Sequence, residues 1–189
     1  MRSWVKGLIA GGTAILLLAA FGFGYDRVNR AYPAPVRAAH TLGETFETNG
    51  LEITGTDSRL MSIAQFREQY PDIIVDIGYQ QEDGSILPEE NVRILLASVR
   101  VKILSEGANI PFLYSAGVQS GTWRNGMSFD LFAQLNDLEP DADGYYHLIL
   151  PYQILSLQFL EKDWETVESR SYEIVFSLYP TRHILQLET

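Results

Sequence analysis

The sequence predicts an all-β, two-sheet sandwich with one or two short helices, preceded by a single transmembrane helix. Three observations predict this fold. An uncharged run of nineteen residues lies near the N-terminus, four turn dipeptides punctuate the rest of the chain, and alternating apolar and polar residues lie between the turns. A small α+β domain, with its helices packed on one sheet, is the alternative.

The uncharged run covers residues 7–25. As a helix it rises about 28 Å, close to the hydrocarbon thickness of a bilayer. Trp4 and Tyr25 fall near its two ends, where aromatic rings favour the membrane interface. We therefore expect residues 1–25 to form a signal anchor that holds the protein in the membrane. The alternative is a secretory signal, cleaved near Gly22 or Gly24, that leaves a secreted protein.

Charge divides the chain into two parts. Residues 1–40 carry five basic residues against one acid, whereas residues 41–189 carry a net charge of -14. So acidic a body repels nucleic acid phosphates, which argues against nucleic acid as a partner. The chain has no cysteine, which suits an exported bacterial domain. We expect the body to be extracytoplasmic at the bacterial cell envelope, where its acidity keeps it soluble. The alternative explanation of the charge is an envelope protein or peptide partner that is basic.

Residues 26–40 are predicted to form a tether between the helix and the body. Pro33 and Pro35 forbid a continuous helix there and bias their neighbours towards extended conformations. The folded body is then expected to span residues 41–189.

The body reads as a series of short strands. Four dipeptides tolerate positive φ in hairpin turns: Asn49-Gly50, Asp83-Gly84, Asn125-Gly126 and Asp143-Gly144. Alternation is clearest over residues 93–104, where part of the second face is also apolar. The complete set of predicted strands is 45–47, 51–54, 73–79, 93–104, 112–118, 128–135, 145–150, 172–178 and 183–187.

Two helices interrupt this pattern. Ser62 and Gln65 form an S-x-x-Q capping box, and Pro71 ends the helix that follows. A second short helix is expected within residues 157–168. Pro151 indicates an edge strand, a bulge or a corner.

The stretch LGETFETNGLEITGTDSRL, residues 42–60, resembles the opening of immunoglobulin-like, telokin-like extracellular domains of unknown function from Gram-positive bacteria. The shared features are a short strand with a Gly-acid pair, a turn, and a "GLEIT" strand. The resemblance implies an immunoglobulin-like sandwich and an extracellular location, and it implies no activity. Many members are lipoproteins, and this chain departs from them because it has no cysteine.

The strongest ligand-like cluster is an acidic loop. Glu139, Asp141 and Asp143 alternate along the chain before Gly144, as in the first half of a calcium-binding loop. The second half of the calcium-binding pattern is absent, because Leu150 occupies the position at which such loops have a bidentate glutamate. These three acids are weak candidate ligands for calcium, and a solvated turn is the preferred interpretation. No metal, cofactor or nucleotide is expected.

No catalytic motif is complete. Ser120 lies one place too late for G-x-S-x-G, and the histidines, His40, His147 and His183, have no metal-binding spacing. An aromatic platform for glycans would draw on Trp123, Trp164, Tyr145, Tyr146 and Tyr152, although aromatic residues in strands usually pack in a core. We expect a membrane-anchored binding or accessory module and no enzyme. The alternative is a structural or assembly subunit of a membrane complex that uses the transmembrane helix as its interface.

Overall fold

The computed structural model describes residues 3–76, 78–80 and 83–188, with side chains from Gly11 onward. The chain divides into two compact units, residues 1–36 and residues 37–189. The first unit is dominated by one long helix, α1 (Ser3–Ala31). The second unit contains the sheets and the remaining helices.

Helix α1 is longer than the predicted membrane segment. It continues through residues 26–31, where Arg30 and Asp26 form an ion pair of 2.9 Å one turn apart, and it ends just before Pro33. The expected tether over residues 26–40 is thus largely ordered secondary structure, because residues 36–40 form a strand. Only residues 32–35 lie between helix and strand.

The apolar side chains of α1 are exposed along its described length. The large ones are Ile15, Leu16, Leu17, Leu18, Phe21, Phe23, Tyr25 and Val28. In the part of the chain that the structure describes, no helix is both long and apolar enough to cross a membrane. The side chains of residues 7–10, which belong to the predicted span, lie outside the described residues.

The second unit is a two-sheet β-sandwich with several short helices. Its strands are β1 (Val36–His40), β2 (Thr45–Thr48), β3 (Leu51–Ser62), β4 (Val92–Ile103), β5 (Gly117–Ser120), β6 (Trp123–Gly126), β7 (Tyr145–Leu155), β8 (Tyr172–Val175) and β9 (Thr181–Leu187). One sheet has the order β1-β9-β8-β5-β6, and the other has the order β2-β3-β4-β7. The immunoglobulin-like strand order is not confirmed and stays a prediction.

Short helical segments join the strands. The α-helices are α2 (Ile63–Gln69), α3 (Phe129–Leu135) and α4 (Glu161–Trp164), and 3₁₀ turns cover Glu89–Asn91, Ile110–Ser115, Ser156–Gln158 and Val167–Ser169. The capping box of α2 is confirmed, since the Ser62 hydroxyl accepts from the Gln65 N–H and Gln65 accepts from the Ser62 N–H. The second predicted helix is real but shorter than residues 157–168.

The main core lies between the sheets. Alternate residues of β4, such as Val99, pack with residues of the opposite sheet, such as Val118 and Ile174. The other face of β4 is covered in its first half by a second cluster that includes Ile94 from β4 and Phe66 from α2. This explains why both faces of residues 93–96 are apolar, as the sequence indicated.

The Asn49-Gly50 turn is confirmed. Both residues have positive φ, 51° for Asn49 and 73° for Gly50, as a two-residue hairpin turn requires. Gly84 and Gly144 also have positive φ in turns. The prediction for Asn125-Gly126 is wrong, because both residues pair within β6, and the β5–β6 hairpin turns instead at Gly121, whose φ is 60°.

Three predicted strands are wrong. Residues 128–135 form α3 rather than a strand, and residues 112–118 are mainly a 3₁₀ turn before β5. The described residues of 73–79 belong to no strand or helix. In the first two segments the apolar residues satisfy a short strand pattern and a helical turn equally well, so periodicity alone does not separate them.

The free edge of β7 is closed by hydrogen bonds from outside the sheet. β7 is an edge strand, as Pro151 indicated, because β4 is its only sheet partner in the described strand order. Alternate residues of the strand point their backbone groups away from β4. Those groups bond to Asp141, Ser128 and the side chains of Asn125, Asn136 and Gln158. The edge therefore offers few places for another strand to pair.

We predict that Leu95→Ala destabilises the body by about 2–5 kcal/mol, because a fully buried β4 side chain is replaced by a cavity. Urea unfolding followed by circular dichroism measures the change. The matched control is Leu157→Ala, whose side chain is 53% exposed and whose loss is expected to stay within about 0.5 kcal/mol. Equal effects for the two variants would contradict the assignment of β4 to the core.

Candidate binding groove

Helix α3 is fixed to the edge of β7 at both of its ends. At its start, the Ser128 N–H donates to the Pro151 carbonyl at 2.9 Å. Past its end, the Asn136 side chain accepts from the Ile149 N–H at 2.6 Å and donates to the Ile149 carbonyl at 2.9 Å. A side-chain amide thus replaces the neighbouring strand that the β7 edge lacks.

A second amide fixes α3 to the segment that follows α2. Gln134 accepts from the Ile74 N–H at 2.9 Å and donates to the Ile74 carbonyl at 3.0 Å. Gln134 bonds to the N–H and carbonyl of Ile74, and Asn136 bonds to the N–H and carbonyl of Ile149. The two side chains therefore hold the helix between β7 and the segment that follows α2. The rotation of α3 about its own axis is thereby set.

This rotation leaves one aromatic face of α3 uncovered. The Tyr114 ring, from the 3₁₀ turn Ile110–Ser115, packs edge-on against Phe129 and Phe132 with centroid distances of 5.4 and 5.5 Å. Phe132 is buried and forms the floor, whereas Phe129 is 56% exposed and Leu138 is 46% exposed. We call the depression lined by Tyr114, Phe129, Phe132, Ala133, Asn136 and Leu138 the α3 groove.

The α3 groove has a cavity volume of about 490 Å³. That volume lies within the usual range for ligand pockets, about 300–1,000 Å³. The lining offers one amide and otherwise aromatic and aliphatic surface, so it suits apolar side chains. Exposed apolar surface rimmed by polar residues is typical of interaction sites.

The chain segment that carries most of the α3 groove is acidic. Residues 128–144 carry five acids and no lysine or arginine. Asp137, between the lining residues Asn136 and Leu138, is exposed, whereas Asp130 belongs to the lining of a separate, smaller cavity. A groove of this kind combines apolar burial with attraction for positive charge.

A smaller polar cavity lies on the other side of α3. It has a volume of about 170 Å³, and its lining includes Asp76, Tyr79, Asp130 and Gln153. The Tyr79 hydroxyl donates to Gln153, and burial, helped by the charges of Asp76 and Asp130, raises the pKa of Tyr79. This network supports the segment to which Gln134 bonds.

The predicted calcium ligands do not converge. Asp141 Oδ1 accepts from the N–H groups of Tyr145 and Asp143, and its Oδ2 lies 2.8 Å from His147 Nε2. These hydrogen bonds, that from Tyr145 first, lower the pKa of Asp141. Among the described residues, no three histidine, aspartate or glutamate side chains are grouped so that they could hold a metal ion, and this includes Glu139. Asp141 instead shapes the turn that leads into β7.

The catalytic candidates lie apart. Ser120 is buried in β5 and accepts a bond of 3.3 Å from Arg170. His147, on β7, contacts Asp141. His40 and His183 lie next to each other on β1 and β9, in the sheet that also contains Ser120. The structure therefore brings none of the histidines to Ser120.

The aromatic residues considered for a glycan platform do not form one. Tyr152 is fully buried, and Trp123 and Trp164 both pack against Phe159 with centroid distances of 5.1 and 6.0 Å. The Tyr145 ring is covered by Arg100, whose guanidinium carbon lies 4.5 Å from the ring centroid. These rings pack with protein side chains rather than forming one open surface.

Sequence reasoning missed the groove because it treated residues 128–135 as a strand. A helical signal was present, since Phe129, Phe132, Ala133 and Asn136 follow the spacing i, i+3, i+4 and i+7. Ser128 is also a favoured residue immediately before a helix. The contribution of Tyr114, fifteen residues earlier than Phe129, had no signal in the sequence.

Comparisons with known proteins give a family and a similar fold. A family model described as a domain of unknown function (DUF5028) matches residues 38–183, a range that begins in β1 and ends in β9 and so includes both sheets. The crystal structure of an uncharacterized beta-sandwich protein from Clostridium difficile 630 is similar, with a TM-score of 0.44 and 9% identity over 82% of this chain and 96% of that chain. No curated protein matches this sequence.

We predict that Asn136→Ala lowers the free energy of unfolding by up to about 1–3 kcal/mol, because it leaves a part-buried donor and acceptor of Ile149 without their partner. Asn136→Asp keeps only the acceptor, and its charge faces the Ile149 carbonyl, so it does not restore stability. The control is Asp137→Asn at the exposed neighbouring position, for which we expect no loss. Thermal unfolding of the body compares the three variants, and an unchanged Asn136→Ala variant would contradict the proposed role.

Proposed function

We propose that this chain, which belongs to the DUF5028 family, is a membrane-tethered binding module whose α3 groove takes a basic, apolar segment of a partner protein. The observation that carries the proposal is the exposure of Phe129 and Leu138 beside the Tyr114 ring. A soluble body gains nothing from leaving these side chains in water, whereas a partner that covers them recovers their burial energy. Interaction is the function that this surface supports best.

The chemistry of the partner follows from the groove and the acids next to it in sequence. The aromatic lining favours an aliphatic or aromatic anchor residue, and the exposed acids next to the lining in sequence, Asp137 and Glu139, favour lysine or arginine beside that anchor. An amphipathic segment lying in an apolar groove is a common mode of peptide recognition. Binding, rather than catalysis, also agrees with the burial of Ser120.

The tether is the second part of the proposal. Residues 7–25 carry no charge, and the described apolar side chains of α1 are exposed along the helix. A helix that is apolar on all sides is favoured when a membrane or other protein surrounds it. We propose that residues 7–25 anchor the protein in a bacterial cell membrane and that the acidic body is extracytoplasmic. Assembly of a membrane complex through the same helix is the second candidate function.

The first test selects peptides from a random displayed library on the immobilised chain. We expect enrichment of sequences with an apolar anchor flanked by lysine or arginine. Phe129→Ala should weaken a selected peptide about 10- to 100-fold, since truncating an anchor contact costs about 1.5–3 kcal/mol. The matched control Leu157→Ala, also exposed, should bind normally. Enrichment of acidic peptides, or binding indifferent to Phe129, would contradict the proposal.

The second test examines the tether. The chain in cell membranes should resist extraction by high salt and alkali, because some nineteen apolar residues hold it in the bilayer. Protease added outside intact cells should digest the body. Replacing residues 7–25 by an unrelated apolar run of equal length separates the two candidate functions. If the helix is only an anchor, the variant stays in the membrane and functions normally; if the helix is an assembly interface, the variant stays in the membrane but no longer assembles with its complex. Recovery of the chain in the salt wash would contradict membrane anchorage.

A further inference from the structure

β1 is an edge strand of five residues, three of which are exposed. β9 is its neighbour in the sheet. Near its start, Arg37 pairs with Glu173 of β8 at 2.6 Å, and both Val36 and Ala39 are exposed. At its end, His40 packs in a stack of rings with His183 and Phe46. The ring stack therefore adds to the backbone pairing with β9 at the end of β1.

His40 and His183 form a pair in which only one of the two facing ring nitrogens can carry a hydrogen. His40 Nε2 lies 3.1 Å from His183 Nδ1, and the ring planes are almost parallel, at 6°. His40 is also stacked on Phe46 at a centroid distance of 4.1 Å. A hydrogen bond at this distance needs a donor on one nitrogen and a lone pair on the other. When both rings are protonated, two N–H groups and two positive charges face each other.

We propose that β1 is a pH-dependent strand that detaches from β9 when both members of the His40–His183 pair become protonated in mildly acidic solution. Detachment converts residues 32–41 into a linker that reaches up to roughly 33 Å when extended. It also uncovers the edge of β9 (Thr181–Leu187) for pairing with another strand.

Within the described part of the chain, few charged groups are placed to offset the repulsion between two protonated histidines. Among the described residues around the pair, Glu44 from the β1–β2 turn acts on His40 and favours its protonation. Phe46 from β2 and Phe176 after β8 are uncharged. Arg182, next to His183, directs its guanidinium to Gln119 at 2.6 Å, and the Arg37–Glu173 ion pair lies near the other end of the strand. Only one carboxylate is thus placed to compensate the charge of the pair.

The direction of the pH effect follows from the two pKa values. Burial lowers the pKa of His40 and of His183 in the attached strand, and the charge of His40 lowers that of His183 further. Both values return to about 6.5 when the strand detaches into water. Attachment keeps its full stability above that pH and weakens as the pH falls from about 6.5 towards the lowered values. Each extra proton changes the ratio of attached to detached strand by up to about tenfold per pH unit, or about 100-fold for the pair.

The test measures the distance between two spin labels in the full chain held in detergent micelles. Because the chain has no cysteine, Ala39→Cys and Gln186→Cys, both exposed, provide the only two labelling positions. We expect a short, narrow distance distribution at about pH 7.5 and a longer, broader one at about pH 5. Near-ultraviolet circular dichroism of the body should stay unchanged over this range.

The control variant is His40→Phe/His183→Phe, which keeps two stacked rings but cannot take a proton. It should hold the short distance at both pH values, and His40→Gln/His183→Gln serves the same purpose if two phenylalanines do not fit. A distance that does not change with pH in the wild-type chain would overturn the proposal. So would the same pH dependence in both variants, or loss of the near-ultraviolet signal together with the distance, which would mean unfolding of the whole body.

Discussion

The free edge of β7 is the constraint on which the candidate site depends. An eleven-residue edge strand presents a row of backbone donors and acceptors that must bond to water or to other groups. Here side chains and loop backbone from residues 125–141 and 158 meet most of this requirement. Because Asn136 bonds to both polar groups of Ile149, the end of α3 cannot move along the strand without breaking both bonds.

The exposure of the groove is a consequence of that attachment. Once Asn136 and Gln134 face two different backbones, Leu131 turns inward and Phe129 remains at the surface beside Tyr114. Rotation of the helix would break the bonds of Asn136 to the part-buried Ile149 backbone, at a cost of up to about 1–3 kcal/mol for each group left without a partner, and those of Gln134 to Ile74. Backbone hydrogen bonding therefore holds the helix with this apolar surface open.

The sequence predicted the parts of the fold that have strong local signals. Apolar and polar residues alternate over residues 93–104, and this segment is a strand. Asn49-Gly50 is a favoured hairpin dipeptide, and Ser62 with Gln65 is a favoured helix cap; the turn and the capping box are both confirmed. The candidate site depends on pairings that are remote in sequence, such as Gln134 with Ile74, and no local pattern encodes them. The error at residues 128–135 also hid the aromatic face, because a strand would send Phe129 and Phe132 to opposite sides.

The central claim is that α3 is held with its aromatic face open and ready for a partner. Solvent paramagnetic relaxation enhancement of the body, with a soluble gadolinium chelate, measures this exposure for each ring. We predict strong enhancement for Phe129 and weak enhancement for Phe132, together with slow exchange of the Asn136 side-chain amide hydrogens. Protection of the Phe129 ring in the free body, or rapid exchange of the Asn136 amide, would show that the groove is closed or that α3 is not fixed, and would contradict the account.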